Sequence, residues 1–161
     1  MNWSKLFEMQ KALDEYIEEK NNLSTMDLFD QKYLALLVEL GELANETRCF
    51  KFWSTQHKSS TEEILEEYVD GLHFILSLGI EMGYYFFPKN TVSTSLHETE
   101  QFNKVFEACV NFKKDKSEES YNHLFINFLQ LGQILGFNEK EIQLAYYHKN
   151  KINYQRQNEG Y

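Results

Sequence analysis

Only one proline, Pro88, and seven glycines interrupt a chain of 161 residues. With so few breakers the sequence is free to form long helices. Its two cysteines, Cys49 and Cys109, stand far apart with no CxxC-type spacing. That excludes a disulfide framework and a zinc site built on paired thiols, and it fits a reducing cytosol. No apolar run approaches the ~20 residues that span a bilayer, and Met1-Asn-Trp-Ser-Lys-Leu has no basic-then-apolar leader pattern. Positive charge is scarce: 16 Lys and Arg against 25 Asp and Glu, a net charge of −9. A surface that coats nucleic acid needs a basic stripe. A soluble cytoplasmic protein without nucleic-acid or membrane partners is expected. A small anionic substrate remains open if metal ions supply the positive charge.

What is present is 42% apolar and 16% aromatic residues, enough for one core and one domain over residues 1–161. Two acidic pairs stand out. Glu39-Leu-Gly-Glu42 and Glu67-Tyr-Val-Asp70 each place two carboxylates three residues apart, on one face of a helix. The first pair lies in an almost wholly apolar run, Leu34 to Ala44, and no Lys or Arg occurs between Tyr33 and Thr47. Carboxylates in such a setting are costly unless a cation meets them. A solvated glutamate face would interleave Lys and Arg, so a divalent cation, magnesium before others, is the better explanation.

Apolar spacing predicts an all-α bundle of about six helices, with no strand-like alternation and no internal repeat. The expected helices run over Trp3–Glu19, Leu28–Phe52, Thr61–Tyr85, Glu98–Phe112 and Glu118–Leu135, with a last one from Asn138. Capping signals are read at Ser24–Asp27, Ser60–Glu63, Ser95–Glu98 and Asn138–Glu141, and Gly136 is the expected stop of the fifth helix. Gln10 and Asp14 share one flank of the first helix. Glu62, Glu63 and Glu66 read as solvated first-turn acids, and His73 as a packed residue. Glu46 extends the acidic stripe of the second helix as a further metal ligand or a supporting acid. The fifth helix is apolar on more than one side, which implies an interhelical or dimer interface. The polar connection Lys89–Leu96 is the longest loop. In the last helix Lys149, Asn153 and Arg156 fall at i, i+4 and i+7. One face therefore presents two cations around an amide, a composition suited to phosphate and to a nucleobase edge.

Taken together, these residues resemble the dimeric, all-α dUTPases, a branch of the all-α NTP pyrophosphatases that includes MazG-like enzymes. The likeness rests on Glu39-x-x-Glu42, 24 residues, then Glu67-x-x-Asp70. It also rests on a terminal Lys149-Asn-x-x-Asn153-x-x-Arg156-Gln-x-x-Gly160-Tyr161 pattern. Phe50-Lys-Phe-Trp53, Asp70-Gly-Leu-His-Phe74 and Gln10-Lys-Ala-Leu-Asp14 look like further motif segments of that branch. The acidic motifs are shared across the superfamily; the tail points to dUTPase.

The resemblance implies magnesium-dependent hydrolysis of dUTP, and of dUDP, to dUMP, with pyrophosphate released from the triphosphate by attack on the β-phosphorus. Such an enzyme limits uracil in DNA and supplies dUMP. Glu39, Glu42, Glu67 and Asp70 would hold about two or three magnesium ions, replaceable by manganese. The need for metal also follows from charge: two like charges at about 4 Å repel by roughly 4 kcal/mol at an effective dielectric of 20. Glu39 or Glu42 would orient or deprotonate the attacking water. Lys149, Arg156 and Lys51 would meet phosphate. Gln10, Trp53 and Asn153 would form the uracil pocket, the amides both giving and accepting hydrogen bonds, with Phe74 beneath the deoxyribose. A homodimer in a bacterial or phage-infected cytosol is implied. The runner-up readings are a MazG-like pyrophosphatase for another nucleotide such as dCTP, and a dUTPase that also binds a regulatory protein through the 89–96 loop.

Overall fold

The computed structural model describes residues 1–88 and 94–160. Among the described residues there are six helices and no strand: α1 (Trp3–Lys20), α2 (Phe29–Thr47), α3 (Thr61–Met82), α4 (Glu98–Asp115), α5 (Glu118–Ile134) and α6 (Glu139–Glu159). The expected all-α fold is found. Most of the long polar connection expected before α4, residues 89–93, and the terminal Tyr161 lie outside the described residues.

Helix ends differ from expectation where local chemistry stops the helix early. The second helix was expected to reach Phe52 but ends at Thr47, because Arg48 adopts a left-handed conformation (φ 57°) and donates its N–H to Ala44. Thr47 reinforces the stop: its hydroxyl donates to the Ala44 carbonyl and accepts from the Cys49 N–H. The third helix ends at Met82 rather than Tyr85, since Gly83 takes the left-handed turn (φ 74°). The expected cap at Ser24 is not used; Asp27 Oδ1 instead accepts the Phe29 N–H at 3.0 Å. The cap of α4 falls on His97 with Glu100, two residues beyond Ser95. Capping boxes form as expected at Ser60–Glu63 and Asn138–Glu141. Gly136, with φ 91°, follows α5.

α3 is the central element, packed against α1, α2, α5 and α6, while α4 pairs with α5 and α2. Its register with α5 is set by two tyrosines lying across glycines. Tyr121 donates from its hydroxyl to the Ile75 carbonyl over 3.1 Å, in space that a Cβ at Gly79 would occupy. Tyr68 donates to the Phe128 carbonyl over 3.2 Å and lies where a Cβ at Gly132 would be. Both hydroxyls are buried, and both are satisfied by backbone, as burial requires. The apolar faces of α5 are consumed inside the chain: Tyr121, Leu124, Phe125, Phe128 and Leu131 are fully buried. α1 and α6 close over α3, tied at their far ends by Lys20 to the Gln157 carbonyl and Tyr16 to Asn158.

Candidate active site between α1, α2, α3 and α6

Asp70, Phe74 and Ser77 follow one face of α3 at i, i+4 and i+7. At 1.5 Å per residue this lays a strip of roughly 10 Å along the helix. α2 brings Glu39 to the Asp70 end. α1 brings Asp14 to the Ser77 end, where the Ser77 hydroxyl donates to Asp14 Oδ2 over 2.6 Å. α6 lies alongside and contributes Lys149, Asn153 and Arg156. These side chains, with Gln10, line one cavity of about 270 Å³. A wider depression of about 840 Å³ at the α4–α5 turn holds none of the sequence-derived site residues. Its Asp115, Ser117 and Ser120 are engaged in helix capping.

At the acidic end, oxygens of Glu39, Glu67 and Asp70 lie within 4.8 Å of one another. Burial, and then the charges of Asp70, Glu42 and Glu67, push the Glu39 carboxyl up to about 7. Glu67 and Asp70 are also raised, first by burial, and for Glu67 next by Asp70. Glu42 is exposed and stands outside the tight trio, close enough to act on Glu39 and Glu67 through its charge. Glu46 is engaged elsewhere. Its carboxylate accepts the Ser59 hydroxyl and its carbonyl accepts the Ser59 N–H, fastening the loop that leads into α3.

Lys149 is a cation in direct contact with this trio. Its ammonium is 2.6 Å from Asp70 Oδ2 and donates to Glu66 Oε1 over 2.8 Å. Burial works against the charge, yet the bonds to Asp70 and Glu66 outweigh it and raise the lysine pKa. For Asp70, in contrast, burial outweighs the lysine. Glu66, expected as a solvated acid, thus turns out to hold a site cation although it is largely exposed. No sequence signal distinguished it from its neighbours, since the partner lies 83 residues away.

At the other end, Gln10 is 4% exposed and His73 4%. Gln10 donates from Nε2 to Asp14 Oδ1 over 2.7 Å, and its Oε1 accepts from Tyr146 over 2.7 Å. His73 Nδ1 lies 2.7 Å from the same oxygen, with the ring stacked on Tyr146 at 4.1 Å. Burial and then Lys149 lower the His73 pKa to about 3, so the ring is neutral. Asp14 is raised by burial, against the opposing effects of Ser77, Lys32 and Gln10. Tyr146 lies in α6, and no residue pattern there announces its bond to Gln10 on α1.

The cavity therefore gathers Gln10, Glu39, Asp70, Phe74, Lys149, Asn153 and Arg156, with Glu67 in the adjoining trio. It does not gather Lys51 or Trp53. These sit on the turn after α2: Lys51 donates to Asn45, and Trp53 is 65% exposed beside Phe52 at 93%. The early end of α2 is the cause, because the turn departs from the helix before either side chain can follow its inner face.

A cavity lined by carboxylates, amides and cations together matches the chemistry of a nucleotide polyphosphate. The family model of dUTPases matches residues 2–161. The chain belongs to the dimeric, all-α dUTPase family. Comparison with curated proteins gives no match. The family's activity is hydrolysis of dUTP, and of dUDP, to dUMP, with pyrophosphate leaving from the triphosphate, and magnesium is its usual metal. The residues present fit that ion. All donors in the trio are hard carboxylate oxygens, and burial first, then for Glu39 and Glu67 the charges of neighbouring acids, raises their pKa values.

Proposed function

We propose that this dUTPase holds magnesium through Glu39, Glu67 and Asp70, with Glu42 completing the acidic set from the exposed side of α2. About two or three ions offset the charge of acids and phosphates. Bound magnesium supplies positive charge to the phosphate chain and lowers the pKa of a coordinated water. Glu39 orients or deprotonates the attacking water. Lys149, poised on Asp70 and Glu66, and Arg156, two turns further along α6, neutralise charge on the departing phosphates. Gln10 and Asn153 contact the uracil edge, and Phe74, one turn beyond Asp70, lies beneath the deoxyribose. Lys51 and Trp53 are outer members of the set, on the turn that follows α2.

The observation that carries this reading is the joint placement of Glu39, Asp70, Lys149, Asn153 and Gln10 on one cavity from four separate helices. Pyrophosphate release from a panel of deoxynucleoside triphosphates, with magnesium and with chelator, tests it. Turnover of dUTP well above dCTP and dTTP, abolished by chelator, is expected. Equal turnover of all three would refute the uracil pocket, and chelator-resistant turnover would refute the metal role.

The chain works as a homodimer within this proposal. Leu34 and Val38 on α2 are exposed, and so are Phe50, Phe52 and Trp53 after it, whose rings touch one another; these apolar side chains support an interface there. All residues of the proposed site fall within a single domain, residues 1–161.

A further inference from the structure

A glutamine amide has two N–H donors and two carbonyl lone pairs. At Gln10 nearly all are assigned. The Tyr146 hydroxyl has one proton and two acceptors within reach, Gln10 Oε1 at 2.7 Å and the Leu6 carbonyl at 3.4 Å, so it points to Gln10. His73 Nδ1, also 2.7 Å from Oε1, must then carry the ring proton, since a carbonyl oxygen cannot donate. Both lone pairs are occupied. Nε2 gives one N–H to Asp14 Oδ1. A single N–H is left, and Gln10 lines the cavity. The expectation that this amide both gives and accepts is thereby narrowed: toward a ligand it can only give.

The reverse orientation of the amide would place its N–H groups against the Tyr146 oxygen and the His73 ring nitrogen. Either can accept once its own proton is moved, so neither decides the matter. The carbonyl would then face Asp14, and a carboxylate has no proton to offer. Asp14 is itself fixed as an acceptor: Ser77 donates to its Oδ2, and the Lys32 ammonium is 3.9 Å from that oxygen. Lys32 is in turn held by Glu18 and Glu81, at 3.0 and 2.6 Å.

We propose that Asp14 is a specificity-determining positioning residue: its carboxylate, held by Ser77 and Lys32, turns the Gln10 amide so that one N–H and no acceptor faces the base. A uracil carbonyl meets that N–H as acceptor. The exocyclic amine that cytosine carries in place of one carbonyl meets it donor against donor, leaving both groups unpaired at an amide that is 4% exposed. Asparagine at this position keeps the size but can offer its own N–H to the Gln10 carbonyl, which releases the lock. The inference rests on the placement of Gln10 in the base pocket.

The test is the ratio of kcat/KM for dUTP over dCTP in the wild type and in Gln10→Ala, Asp14→Asn and Ser77→Ala, each checked for native helicity by circular dichroism. Asp14→Asn is expected to lower the ratio by about tenfold or more, chiefly by raising KM for dUTP while kcat is held. Ser77→Ala lowers it by a smaller factor. A lowered ratio in Gln10→Ala with an unchanged ratio in Asp14→Asn overturns the inference and leaves the base-pocket reading standing. An unchanged ratio in Gln10→Ala removes that reading and the inference with it. A parallel loss for both nucleotides in Asp14→Asn, with the ratio preserved, marks a structural role only and also overturns it. Should Asp14→Asn fail to fold, the Ser77→Ala ratio decides in the same way.

Discussion

At Glu39, burial and the charges of neighbouring acids act together on one side chain of the site. Its carboxyl keeps a proton up to about 7 in the folded chain, against an ordinary value of 4.5. The folded state therefore binds more protons between these two values. The stability this confers is complete below pH 4.5 and is lost as pH rises through about 7. His73 works in the opposite sense: its folded pKa of about 3 lies below the ordinary 6.5, so its contribution is lost as pH falls through that interval. The two separate in a difference measurement. In chelator, the stability of the wild type relative to Glu39→Gln is expected to fall as pH rises from 4.5 to about 7 and to level off above, because His73 is common to both proteins. Thermal melts at several pH values check this; a gap that does not change with pH would remove Glu39 from the acidic cluster. Added magnesium is expected to raise the wild-type melting temperature, at a pH above the Glu39 titration, more than that of Glu39→Gln.

Among the elements, α3 decides both the packing and the site, and its close contacts are tested through glycine. A Cβ at Gly79 would run into the Tyr121 hydroxyl and lie 2.7 Å from the Tyr84 carbonyl, a backbone atom with little room to yield. Gly79→Ala is expected to destabilise the protein by about 1–3 kcal/mol in urea unfolding. On α2, nothing lies within 4 Å of a Cβ at Gly41, so Gly41→Ala is expected to stabilise by about 0.5–1 kcal/mol through helix propensity alone. The helices were legible in the sequence because apolar periodicity over 17 to 22 residues is a strong signal. Their ends were less so. Arg48 in a left-handed conformation ends α2 without glycine or proline, and Thr47 supplies the stop through bonds that no residue pattern announces. Lys51, expected on the last turn of that helix, and Trp53, directly after its expected end, lie outside the cavity for this reason.

At the scale of the whole molecule, the site is an assembly of four helices, and this sets what the sequence could reveal. The acid pairs were legible because carboxylates without nearby cations are anomalous within one helix. The Lys149–Glu66 contact and the Tyr146–Gln10–Asp14 chain join segments 83 and 136 residues apart, or link residues whose types are ordinary in their own helices. Such pairings exist only once the bundle has closed. The exposed apolar side chains of α2 and the following turn belong to the same scale. Sedimentation is expected to give twice the 19.2 kDa chain mass, and Phe52→Asp is expected to shift the protein toward monomer; a concentration-independent monomer in the wild type would refute the dimer. The most direct test of the acidic centre is pyrophosphate release from dUTP by Asp70→Asn at saturating magnesium. Loss of turnover by about a hundredfold or more is expected, as for a metal-holding carboxylate in a phosphate-transfer site. Wild-type turnover in that variant would contradict the assignment of Glu39, Glu67 and Asp70 as the metal centre.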